Sequence, residues 1–146
     1  MDDDTQQQLR SLAIALERSP RRAMFDDGDW ALDIPAMPGV YALWDFDGNM
    51  VYVGETSSLN HRMRDLGRSI NHTYRRKLAA RHKVVDATEK RISAVMSEHY
   101  VLSFLPVALG RTELEEYLSL KHKRTLVNSP GKRLLKSNTY LWVERV

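Results

Sequence analysis

The chain has 146 residues, 42% of them hydrophobic, with no cysteine and a formal net charge of +3. That is enough for one domain with its own core, and it excludes a disulfide framework and a thiolate metal site. The opening stretch MDDDTQQQLR is acidic and polar rather than apolar like a secretory signal, and no stretch approaches the roughly 18–20 apolar residues of a membrane span; the expectation is a cytoplasmic protein with no membrane partner.

Residues 5–17 carry Leu9, Leu12, Ala13 and Leu16 at helical spacing, and Ser19-Pro20 ends that helix. Residues 20–37 read as a loop-rich lead-in with Trp30, Leu32 and Ile34 as anchors. Residues 1–37 are thus expected to be a helical arm packed on a domain spanning 38–146. Gly39–Leu43 and Met50–Val53 are apolar, aromatic or β-branched, and Asp47-Gly48 between them signals a hairpin turn. Thr56, Ser57 or Ser58 can cap the helix that follows, where Leu59, Met63 and Leu66 recur on one face. Residues 67–83 read as a second helical stretch. Residues 86–96 fit either a helix or a loop leading into a strand, and 99–107 a strand with Tyr100, Leu102 and Phe104 on one face. Gly110-Arg111-Thr112 opens another helix, with Thr112 and Glu115 spaced as a capping box. Ser129-Pro130-Gly131 marks a turn, and 139–146 alternate as a last strand. The pattern is α+β: a small mixed β-sheet, made of the N-terminal hairpin plus a central strand, flanked by helices.

The estimated pI of about 9.3 hides an uneven charge distribution. Aspartates crowd residues 2–36, whereas Arg62, Arg64, Arg68, Arg75, Arg76, Lys77, Arg81 and Lys83 crowd the middle. A second basic cluster comprises 121–124 with Lys132, Arg133 and Lys136. Of these, Arg64, Arg68, Arg75, Arg76, Lys77, Lys121, Lys123 and Arg124 are candidates for touching a nucleic-acid backbone; the competing reading is solvated helix faces.

The residues themselves say more. Gly39-Val40-Tyr41, ten intervening residues, and Tyr52-Val53-Gly54 resemble the defining element of the GIY-YIG nucleases. Leu59 followed by Arg62 resembles that family's helix arginine; Leu114-Glu115 with Leu118, and then Asn128, resembles its metal-binding helix and the asparagine beyond it. The resemblance implies an endonuclease with a single active site that hydrolyses DNA phosphodiester bonds with Mg2+, for which Mn2+ can substitute. Tyr41 would be the general base or the group that orients the attacking water. A phenol with a usual pKa of about 10 needs nearby positive charge to ionise at neutral pH, and Arg62 and the cation could supply it. Tyr52 would position the water or hydrogen-bond the phosphate. Arg62 would grip two phosphate oxygens with its planar fork. Glu115 would hold the metal with several waters, and Asn128 would tie the helix end back to the site.

Glu116 is the alternative ligand. Leu114, Tyr117 and Leu118 define the buried face, which Glu115 flanks and Glu116 faces away from; the family's spacing to the asparagine nevertheless fits Glu116 better. Many members carry a histidine one turn after the arginine. Here that position is Leu66, and His61 and His72 are the nearest imidazoles. This departure supports a rival reading, a non-catalytic or partner-dependent nucleic-acid-binding module on the same fold. Open at this point are RNA as substrate, a homodimer or an accessory targeting protein, and a restriction, repair, recombination or mobile-element role.

Overall fold

In the computed structural model, which describes residues 1–25, 27–66, 73–84 and 88–146, the chain runs α1 (Asp3–Arg18), β1 (Gly39–Asp45), β2 (Met50–Thr56), α2 (Leu59–Leu66), α3 (Thr73–Arg81), α4 (Glu89–His99), β3 (Tyr100–Pro106), α5 (Arg111–Lys121) and α6 (Lys132–Leu135), with a 3-10 turn at Asn138–Tyr140. The α+β class is as expected. The sheet is not mixed: its order is β2-β1-β3 and both pairings are antiparallel. The hairpin turns β2 back along β1, and α4 runs straight into β3 with Tyr100 opposite Asp45 at the far end of β1. The central strand is therefore β1. Among the described residues no helix is long and apolar enough to cross a membrane.

Strand alternation sends β1 into two cores. Tyr41 and Leu43 face α2, α3 and α4, where Leu59, Met63, Leu66, Leu78, Ile92 and Met96 are all fully buried. Val40, Ala42 and Trp44 face α1 and α5, against Leu9, Ala13, Leu16, Leu114 and Leu118. The hairpin turn is fixed by Gly48, at φ +86°, and by the Asp45 carboxylate, which accepts from the Asp47 and Asn49 amides at 3.0 and 2.8 Å.

Both outer strands carry partners on their open sides. Along β2, Thr125 Oγ1 donates to the Met50 carbonyl at 2.6 Å, the Val127 amide to Val51 at 2.8 Å, and Asn128 Nδ2 to Val53 at 2.8 Å. Along β3, Arg22 and Leu102 exchange backbone bonds of 2.8 and 2.9 Å. The last strand expected at 139–146 is corrected: with 125–128 along β2 and Arg22 at the middle of β3, these residues form no strand but the end of the 3-10 turn and an irregular segment. There Trp142 stacks on Tyr117 with centroids 5.2 Å apart.

Three local expectations are corrected. Ile34 is buried and Trp30 packs on the core as expected, but Leu32 is no anchor, being 66% exposed, and Ala31 is buried instead; Asn60 Nδ2 fastens the Ala31 and Ile34 carbonyls at 3.0 and 2.9 Å. The cap of α5 is Gly110 at φ +81° rather than Thr112, because the left-handed turn that only glycine adopts freely starts the helix before Thr112 is reached. The chain bends at 127–128 rather than at Ser129-Pro130-Gly131, where Gly131 caps α6 instead. The helical alternative for 86–96 is the one adopted, with Thr88 Oγ1 accepting from the Arg91 amide. At the other end, α1 is held to α5 by Glu17, whose carboxylate meets Lys121 Nζ at 2.8 Å and His122 Nε2 at 3.0 Å.

Candidate active site

The strand register places Tyr41 opposite Gly54. A Cβ at residue 54 would lie 2.7 Å from Tyr41 Oη, so the phenol occupies the room that a side chain would need. At Gly39 a Cβ would stand 2.5 Å from the Leu105 carbonyl oxygen and 2.6 Å from the Leu59 side chain. Each glycine of the two tripeptides thus has a steric reason: one admits α2 against the end of β1, the other admits the tyrosine ring over β2. Tyr52 lies beside that ring, centroids 5.9 Å apart.

In α2, Leu59, Met63 and Leu66 sink into the core. Arg62 is left on the flank, half-buried, where its Nε donates to Tyr41 Oη at 3.0 Å and its Nη1 lies 3.4 Å from Asp65 Oδ2. Burial works against its charge, but the phenols of Tyr41, Tyr74 and Tyr52 raise its pKa further, so Arg62 is a fixed cation. Tyr41 is 1% exposed. Burial first, and then Tyr52, push its pKa well above the ordinary tyrosine value, and Arg62 pulls the other way without prevailing. As expected, Arg62 favours the phenolate, but by itself it does not outweigh burial. Since Arg62 donates to the phenol oxygen, the proton of Tyr41 is available for another acceptor.

Glu115 and Glu116 part company. Glu116 accepts from Tyr140 Oη at 3.2 Å and so engages the C-terminal segment. Glu115 faces β2. Burial, and then the Glu55 carboxylate, push its pKa up to about 7, with Glu116 adding to the rise and the Glu55 backbone amide opposing it. Glu55 is itself paired with Arg111 Nε at 2.6 Å. Asn128, bonded through Nδ2 to Val53, keeps its Oδ1 buried with no hydrogen-bond partner among the described residues. Tyr41, Tyr52 and Arg62 are in mutual reach on the face of the sheet turned to α2–α4, whereas α5 packs on the opposite face, where Glu115 meets Glu55; Asn128 bonds to Val53 at the β2 edge.

The remaining candidates divide. Arg64, Arg76, Lys123 and Arg124 are exposed, as is His61 on the outside of α2. Arg68 and His72 lie outside the described residues. Arg75 is corrected: it is fully buried, with Nη2 on Ser93 Oγ at 2.8 Å and on the Glu89 carbonyl at 3.4 Å, tying α3 to α4 rather than facing a backbone. Lys121 is corrected too, because Glu17 engages its ammonium in holding α1. Lys77 is exposed, with Nζ 3.5 Å from the Val127 carbonyl. Sequence reasoning missed Tyr74 as a neighbour of the site. Its ring stacks on Tyr52 with centroids 4.3 Å apart, a contact between helix and edge strand that no local spacing announces.

Among the described residues no group of three His, Cys, Asp or Glu is placed to hold a metal ion. A single carboxylate can hold a hard divalent cation that keeps several waters, and Glu115 fits that use. It offers oxygen donors, and its charge is penalised by burial and by a second carboxylate, a penalty that a cation would relieve.

A family model described as the GIY-YIG catalytic domain matches residues 37–128. No curated protein matches the chain.

Proposed function

Because the chain belongs to the GIY-YIG catalytic-domain family, we propose that it is a Mg2+-dependent endonuclease that hydrolyses phosphodiester bonds of DNA at one active site. The observation that carries this reading is the Arg62–Tyr41 pair, Nε to Oη at 3.0 Å, seated on the glycine of the second tripeptide one residue from Glu55 and the facing Glu115.

Hydrolysis needs a positioned water in line with the leaving oxygen and positive charge at the phosphorus as the pentavalent centre develops. Arg62 supplies permanent charge in a fork that fits two phosphoryl oxygens. Its orientation is set in advance by Tyr41 and Asp65, so little reorganisation is needed when the phosphate arrives. Burial favours the neutral phenol of Tyr41, which orients the attacking water or a phosphoryl oxygen through its own proton; a bound cation would add to the pull of Arg62 toward the phenolate and so toward the general-base role. Tyr52, only partly buried, offers a second hydroxyl to the phosphate. Glu115 holds the cation, and Asn128 fixes the segment after α5 to β2. When bound at Glu115, Mg2+ or Mn2+ supplies Lewis-acid polarisation of the phosphate. Exposed Arg64, Arg76, Lys123 and Arg124 add backbone contacts that set affinity and position rather than sequence choice.

A plasmid-nicking assay with Mg2+ tests this reading. Wild type nicks, and Arg62→Ala and Glu115→Ala each lose about 10²–10³ in rate, the usual loss when one transition-state contact is removed. Nicking that survives both substitutions overturns it.

One observation favours a second reading. Leu66, where the family pattern carries histidine, is sunk in the core at 0% exposure and presents nothing to a substrate. A non-catalytic or partner-dependent binding module on this fold would bind DNA or RNA and cut neither with any divalent ion.

A further inference from the structure

Tyr52 sits on the outer strand of the sheet, opposite Leu43, and the strand pairing itself does not fix the tilt of its ring. Two rings pack on it. Tyr41 is 5.9 Å away and Tyr74 only 4.3 Å away, the latter inclined by 31°. Tyr74 is carried by α3, and α3 is pinned on both sides. Arg75 bonds to Ser93 and the Glu89 carbonyl of α4. Lys77, one turn beyond Tyr74, reaches the Val127 carbonyl beside Asn128. Tyr74 also lies near Arg62. The ring is thus held rigidly between Tyr52, the candidate phosphate ligand, and the arginine that grips the phosphate.

We infer that Tyr74 is a positioning residue of the active site, whose ring, fixed by α3, sets the orientation in which Tyr52 meets the phosphate held by Arg62. This rests on the endonuclease reading above. The aromatic face acts here, since an offset-stacked pair constrains both rings; the buried Tyr74 hydroxyl does not touch substrate. Leucine would fill much of the same apolar space without offering a planar surface.

The test compares wild type, Tyr74→Phe and Tyr74→Leu in steady-state nicking, with melting temperatures measured alongside and the Tyr52 ring followed by 13Cζ-tyrosine NMR. A catalytic group misplaced by about 1 Å costs about 10²-fold in rate. Tyr74→Leu is therefore expected to lose about 10–100-fold in kcat with KM within about 2-fold, while Tyr74→Phe stays within about 3-fold in kcat. The Tyr52 resonance moves in the leucine variant and holds in the phenylalanine variant. A leucine variant with wild-type kcat overturns the inference, and so does a phenylalanine variant as impaired as the leucine one. Should wild type fail to nick at all, that failure belongs to the endonuclease reading. A crystal structure of Tyr74→Leu then decides alone: a Tyr52 ring turned from its wild-type orientation supports the inference, and an unmoved ring overturns it.

Discussion

Replacing Gly54 by alanine adds one methyl group against the Tyr41 phenol, and the structure sets the size of the effect. The new Cβ would stand 2.7 Å from both Cζ and Oη of Tyr41, whereas carbon contacts settle at about 3.5–4.0 Å; the ring has to retreat by about 1 Å. Tyr41 is 1% exposed, so its ring retreats only by disturbing Tyr52 and the 3.0 Å bond from Arg62. Overpacking of this kind costs about 1–3 kcal/mol, of which about 0.4–1 kcal/mol is recovered because alanine restricts the unfolded chain. A net loss of about 1–2 kcal/mol lowers the melting temperature by roughly 2–8 °C for a chain of this size, leaving the protein folded at 25 °C. The rate should suffer far more, by about 10²-fold, from the displaced pair. Two control substitutions separate the causes. At Gly39 the obstacle is the Leu105 backbone oxygen at 2.5 Å, which cannot swing aside, so Gly39→Ala should fail in folding. At Gly48 nothing lies within 4 Å and only the positive φ is strained, so Gly48→Ala should cost about 1 kcal/mol and leave the rate unchanged. Measured melting curves and nicking rates of the three variants decide the matter. A Gly54→Ala protein that nicks at the wild-type rate would refute the reasoning.

Two further outcomes concern ionisation. Glu115 holds its proton to about pH 7 in the folded chain against 4.5 for an unperturbed carboxyl, so the folded state binds more protons between those values and stability falls as pH rises through that window. Glu115→Gln should therefore melt higher than wild type at pH 8, show no gain at pH 4, and fail to nick. With limiting Mg2+, wild-type nicking should rise through about pH 7, because the ligand must lose its proton to bind. For Glu17 the sign is reversed. Burial would raise its pKa, but the bonds from His122 and Lys121 outweigh it and hold the carboxylate below its ordinary value, so its contribution is present above pH 4.5 and lost below it. Glu17→Gln should cost about 1–3 kcal/mol at pH 7 in thermal or urea unfolding, converge on wild type in acid, and leave nicking unchanged when unfolding is accounted for.

The hairpin and α2 were legible in the sequence because their signals are local. Leu59, Met63 and Leu66 repeat at helical spacing and all three are fully buried. The two tyrosine tripeptides lie close enough along the chain to face each other across one turn. What escaped depends on contacts between distant segments. The alternation in 139–146 is real, but strand formation needs a free edge, and the β2 edge is taken by 125–128 and the middle of β3 by Arg22. Arg75 and Lys121 look like their exposed basic neighbours; only the packing of α3 on α4, and of α1 on α5, shows that their charges are engaged within the fold. The same holds for Tyr74, an ordinary aromatic in a basic stretch until α3 sets it on Tyr52. Composition likewise carried no sign that burial would outweigh Arg62 at Tyr41.

The central claim is that the carboxylate of Glu115 and the Tyr41–Arg62 pair serve one phosphate-cleaving site on the 53–55 segment of β2. A crystal soaked with Mn2+ and examined by anomalous scattering tests it most directly. The account predicts a peak about 2.2 Å from a Glu115 carboxylate oxygen, on the side facing β2. A peak at Glu116 or elsewhere on the chain, with Glu115 left bare, would contradict it.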